Sequence, residues 1–148
     1  MYSLMAMPLD PVGNASLILQ VAILFLLILG LPFVRRDNSK KNLIIHGYLT
    51  VAAVLLHTVL IFLVMIPSFA SGVTDLETST LSDMVNVWLH VILGTIAEAL
   101  GIVIVATWLR YGPSKMMCLR LKKWMLPTFV IWAISLIGGA IVHIFGMI

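Results

Sequence analysis

The chain has 148 residues, of which 61% are hydrophobic and 10% charged. A water-soluble domain carries about 25% charged residues, so this chain has too little polar surface to cover a soluble globule. The formal net charge of +3 does not point to nucleic acid, because the bases form two short clusters with few aromatics among them and no domain to hold a strand.

The tail Met1 to Ala15 contains Pro8 and Pro11 and is expected to be irregular. The first apolar stretch predicts a helix over 16–34 that stops at Arg35-Arg36. It has no basic leader and no small-residue cleavage site, and its charges follow the apolar run, so it reads as a span and not as a signal peptide. The polar turn Arg36-Asp37-Asn38-Ser39-Lys40 makes the first two helices antiparallel neighbours. The second helix is predicted over 43–67, ending at Pro67. Ser68 to Asp83 is rich in Ser, Thr and Asp, and Ser82 or Asp83 is placed to cap the next helix. That third helix is predicted over 84–109 and is stopped by Tyr111-Gly112-Pro113. The basic, Met-containing stretch Ser114 to Lys123 is expected to lie at the membrane surface. A fourth helix follows over 124–147. Each stretch reaches the roughly 18 apolar residues that mark a bilayer span. The expected fold is all-α: one integral membrane domain, residues 1–148, built as an antiparallel four-helix bundle in the lipid bilayer.

All nine Lys and Arg residues lie in 35–41 and 110–123, whereas the intervening loop carries Asp75, Glu77 and Asp83 and no base. Basic loops stay on the cytoplasmic side, which puts both basic loops inside and both termini outside. Cys118 is the single cysteine, so no intramolecular disulfide forms. Gly-rich phosphate loops, Ser/His/Asp sets and His-Glu-x-x-His patterns are absent from the sequence, which argues against hydrolysis and nucleotide chemistry.

Ionisable groups inside a span are costly and usually face protein or a cavity. The second helix holds His46 and His57, the third His90 and Glu98, the fourth His143; Gln20 is the notable polar residue of the first. His90 and His143 each lie 20 residues from the inner end of their helix, counted from Arg110 and Lys123. At 1.5 Å per residue both sit roughly 30 Å up, in the outer half. His57 is roughly 21 Å up and His46 stands at the inner edge. Glu98 and Gln20, at roughly 18 and 22 Å, fall near His57 in depth. Gly94, Ala97 and Gly101 share the face of His90, and Gly139 and Ser135 flank His143. Small residues leave room for a flat macrocycle, and facing imidazoles supply axial ligands to its iron, as in a b-type haem site. The same small residues also serve simple close packing. Three imidazoles suit copper as well, which makes His57, His90 and His143 an alternative metal set. His46 is the candidate ligand of a second, inner haem. A lone carboxyl in hydrocarbon stays protonated unless a cation pairs with it, so Glu98 reads as a proton acceptor, an ion ligand or the partner of a ligating histidine, with Gln20 beside it.

His46 at the start of the second helix, His90-Val91-Ile92-Leu93 and Leu121-Lys122-Lys123-Trp124-Met125-Leu126-Pro127 carry a family resemblance. On these stretches the chain resembles the YozB/CtaM-like small four-helix membrane family, which implies a link to terminal oxidase assembly. The set His57, His90 and His143 also looks similar to small four-helix b-type cytochromes. The expectation is a multi-pass protein of a prokaryotic cell membrane that binds one or two haem b groups, with His90 and His143 as the axial pair. It would act as an electron carrier, not a stand-alone enzyme, with other membrane redox subunits, a quinone or a second copy of itself as partners. The alternative is a non-redox accessory subunit of a larger membrane complex.

Overall fold

The computed structural model describes residues 11–36, 39–70, 81–112 and 115–144; the side chains of 34–36, 82–83, 115–119 and 142–144 lie outside that description. Four long helices account for these residues, and no strand occurs among them. Helix α1 spans Pro11–Arg36 and begins five residues earlier than its apolar run. Proline fits a first helical position, where the missing N–H has no partner to lose. Helix α2 starts at Lys40 behind an N-cap: Ser39 Oγ accepts the Asn42 N–H at 3.3 Å, and the Ser39 carbonyl accepts the Leu43 N–H at 3.1 Å.

Helix α2 is regular over Lys40–Leu60, passes through a π-helical turn at Ile61–Met65, and continues to Ala70. It therefore does not end at Pro67. Proline has no N–H for the carbonyl four residues back and its ring crowds that carbonyl. That carbonyl belongs to Leu63, in the middle of the π turn, so the wider turn absorbs the mismatch and the helix runs on.

Helix α3 spans Leu81–Tyr111. Its stop is as the sequence implies: Gly112 takes φ +72° and its N–H reaches the Trp108 carbonyl at 2.9 Å, the αL end that favours glycine. Helix α4 spans Lys115–Ile144 with Pro127 inside it. The basic stretch expected at the surface thus supplies the first turns of α4 and forms no separate element.

All four helices are long and apolar enough to cross a membrane. Ile23, Ala53, Ala97, Trp132 and Leu136, drawn from all four, form the central core. Nearer the basic connections, Ile104, Trp108 and Leu121 pack together. Gly47 of α2 lies flat against the Trp108 indole, where a Cβ would overlap the ring. Trp108 is therefore buried and belongs to the core, whereas Trp88, Trp124 and Tyr48 are exposed as interfacial aromatics are. The outward faces carry many exposed apolar side chains, with Ile18, Leu63 and Leu126 each about two-thirds exposed or more. Surfaces of that extent belong against lipid, and a helix satisfies its own backbone there. The chain is an all-α, multi-pass four-helix membrane bundle.

Candidate functional site

A cavity of about 340 Å³ opens among all four helices, toward the end of the bundle remote from the two basic connections. Its walls are mostly apolar, and Gln20, His57, His90, Trp132 and Ser135 bring polar atoms to them. Pockets of roughly 300–1,000 Å³ with a few convergent polar groups are the usual form of a ligand or cofactor site. The π turn forms one side through Ile61, Val64 and Met65. Such turns recur at functional sites, and no periodicity in the sequence announced this one.

His57 is buried at one edge of the cavity, and both of its ring nitrogens are engaged. Nδ1 lies 2.7 Å from Glu98 Oε2, and Nε2 accepts the Trp132 indole N–H at 3.2 Å. Because an indole nitrogen only donates, Nε2 carries the lone pair and Nδ1 carries the proton, which it gives to Glu98. The Trp132 ring also meets the imidazole edge-on, with centroids 5.4 Å apart. Thr58 reaches the other carboxyl oxygen, Glu98 Oε1, and its hydroxyl also lies 2.8 Å from the Val54 carbonyl. Glu98 is largely buried and is absent from the cavity wall, so His57 stands between the carboxyl and the cavity. Equal depth in the bilayer was the sequence signal that put Glu98 near His57. Nothing in the sequence identified Trp132 as a partner, since a deep tryptophan reads as core.

His90 is arranged differently. Its Nδ1–H donates to the Ser135 carbonyl at 2.7 Å, while the Ser135 hydroxyl donates to the His90 carbonyl at 3.0 Å. The two residues thus latch α3 to α4 in both directions. The imidazole lies against Gly139, where a Cβ would come within 2.6 Å of Cε1. With the proton on Nδ1, Nε2 keeps its lone pair, and no partner for it occurs among the described residues. This is the tautomer metal-ligating histidines adopt, held by a backbone carbonyl behind the ring.

His46 lies apart from the cavity. Its Nδ1–H donates to the Gly30 carbonyl of α1 at 3.1 Å and ties the first two helices together. Gln20 is buried on the cavity wall and donates to Ser16 Oγ at 3.3 Å. His143 falls one helical turn beyond Gly139 on α4, and its side chain lies outside the described residues, as do those of Met116, Met117 and Cys118. The structure therefore brings His57, His90, Glu98 and Gln20 to one region and leaves His46 outside it. Among the described residues no three His, Cys, Asp or Glu side chains cluster closely enough to hold a metal ion.

Fold and cavity define a multi-pass membrane protein with a polar-headed internal site. Comparison with models of known families, with curated proteins and with solved structures finds no match to the chain.

Proposed function

We propose that the chain is a membrane electron-transfer protein that binds haem b in this cavity, with His90 as one axial ligand and His143 as the other. The observation that carries the reading is the state of His90: its Nδ1–H is committed to the Ser135 carbonyl, its Nε2 keeps a lone pair, and the residue lines the cavity. The small residues Gly94, Ser135 and Gly139 also lie on that wall, where Gly139 seats the His90 ring and Gly94 abuts the Ser135 hydroxyl, so the space for a flat ring is the cavity beside them. When bound, the haem would supply a one-electron redox couple. The chain's own contributions are an oriented imidazole, a mostly apolar wall, and the Gln20 amide to meet the polar edge of the ring. His57 serves this reading as a neighbour and not as a ligand, since ligation would require it to give up the Trp132 N–H. Copper is favoured less, because the three-imidazole set depends on that same engaged ring. The YozB/CtaM-like resemblance fits a role beside a larger respiratory complex, with the basic connections on the cytoplasmic side.

The test is a visible spectrum of the purified protein, oxidised and then dithionite-reduced, for the wild type and for His90→Ala, His143→Ala and His46→Ala. We expect a low-spin haem b spectrum in the wild type and in His46→Ala, and its loss in the other two. A wild type still colourless after expression with added haem, or full haem content in the His90→Ala/His143→Ala double variant, overturns the assignment.

A further inference from the structure

We infer that Glu98 and His57 form a proton-uptake site for the cavity, with His57 as the carrier and Glu98 as the acceptor sealed behind it. The inference rests on the cavity and its lining and not on which group fills it.

Three features of the geometry lead there. Glu98 is largely buried and off the cavity wall, so a proton reaches it through a neighbour. The neighbour is His57, whose ring lines the cavity, with Nδ1 on Glu98 and Nε2 on the Trp132 indole N–H. An imidazole can accept a proton at one nitrogen and release one from the other. Trp132, also on the wall, guards the receiving nitrogen with a hydrogen bond that is possible only while Nε2 is bare.

The step balances with one proton and no electrons. As the Trp132 N–H turns away, a proton delivered from the bulk as hydronium binds His57 Nε2 and leaves a neutral water molecule in the cavity. The N–H bond at Nδ1 breaks and its proton joins Glu98 Oε2. The imidazole ends neutral in the other tautomer, and the Glu98 carboxylate, held charged at the start by donors on both of its oxygens, His57 Nδ1–H and the Thr58 hydroxyl, becomes a carboxylic acid. Thr58 accommodates both states, because its single hydroxyl proton can go to Glu98 Oε1 when the carboxyl is charged or to the Val54 carbonyl when it is neutral. The only bond lost is the Trp132 hydrogen bond, so its making and breaking reports the state of the pair.

The surroundings hold few other titratable groups. Helix α1 presents Gln20, which does not titrate; α2 presents His57 itself; α3 presents His90 beside Glu98; α4 presents Trp132 and Ser135, among the described residues. His90 has its Nδ1–H tied to the Ser135 carbonyl, so its Nε2 is the one other base that the described residues bring to this wall.

The test is infrared difference spectroscopy on the haem-free full-length protein in lipid nanodiscs, read as the carbonyl stretch of a protonated carboxylic acid. We expect a band that grows as pH falls, shifts in D₂O, and is lost in Glu98→Gln. In His57→Gln the band should no longer exchange with D₂O on the wild-type time scale. Trp132→Phe keeps an aromatic ring and removes the guarding N–H together with the pyrrole half of the indole, so exchange should be faster than in the wild type. A Glu98 band present at every pH and untouched by His57→Gln would mean a fixed neutral carboxyl and would sink the inference, as would the absence of any Glu98 band at the acid limit of folding. Because haem is left out, failure of the haem assignment leaves this result standing, and the reverse also holds.

Discussion

Replacing Gly139 by Ala tests whether the His90 ring is seated as the structure has it. A Cβ there would stand 2.6 Å from Cε1, 2.9 Å from Nδ1 and 3.2 Å from Nε2 of His90. The shortest of these contacts, 2.6 Å, is about 0.9 Å inside the roughly 3.5 Å of ordinary carbon contact. The obstacle is an aromatic ring tied down by a 2.7 Å hydrogen bond, not the free end of a flexible side chain. Moving the ring by that amount carries its bond to the Ser135 carbonyl toward the limit at which a hydrogen bond is lost. Overpacking of this kind costs about 1–3 kcal/mol, set against about 1 kcal/mol that alanine gains over glycine in a helix. Gly138 is the internal control, because a Cβ there would lie 3.9 Å from His90 Cβ, an ordinary contact. We expect Gly138→Ala to hold or raise stability and Gly139→Ala to lower it. The assay is equilibrium unfolding in mixed micelles with increasing denaturing detergent. Equal shifts of the same sign in the two variants would show that the ring does not rest on Gly139.

Other substitutions read separate parts of the bundle in the same assay. Gly47→Ala places a Cβ inside the Trp108 ring and should destabilise by about 1–3 kcal/mol, with a change in tryptophan fluorescence; an unchanged midpoint would put the indole elsewhere. Trp132→Phe removes the donor to His57 Nε2 while keeping an aromatic ring, and should cost about 0.5–1.5 kcal/mol. Trp124→Phe, at an exposed position, should cost little, and parity between the two would refute the indole bond. Ser39→Ala removes the acceptor of the Asn42 N–H and should cost roughly 0.5 kcal/mol, the low end for an N-cap; hydrogen exchange at the first turn of α2 should rise with it.

The four spans were legible because lipid demands long apolar stretches, and nothing else in the chain competes with that signal. Their ends were less so. Proline reads as a boundary, yet Pro67 lies inside the run of α2 and Pro127 inside α4. In a bilayer, a local adjustment such as the π turn can keep a helix going where water would invite the chain to leave it. The basic run before Trp124 was legible only in part: charge suggested a surface segment, and the structure adds that Lys115 onward is helical and continuous with α4. Counting residues from the inner ends placed Glu98, His57 and Gln20 at similar depth, and the structure brings them to one region. Depth could not say which nitrogen of which histidine is free. That depends on single contacts such as Trp132 to His57, set by the rotation and crossing of helices far apart in sequence.

The two histidines that bond to backbone carbonyls show why position on a helix does not assign a role. His46 and His90 solve the same problem in the same way: each gives its Nδ1–H to a carbonyl of the adjacent helix, Gly30 on α1 or Ser135 on α4, with a glycine close against the ring. A helical carbonyl has a second lone pair to accept such a bond, and the glycine lets the backbone approach. Each contact therefore works as a helix clamp whatever else the residue does. What separates them is the other nitrogen. That of His90 belongs to a ring on the wall of a cavity shared with Gln20, His57 and Trp132, whereas His46 lies away from that cavity. The clamp leaves Nε2 as the acceptor in both, but of the two only His90 lines the cavity. The chemistry proposed for this end of the bundle would thus grow out of a packing device, through the cavity that α1 and the π turn of α2 leave beside it.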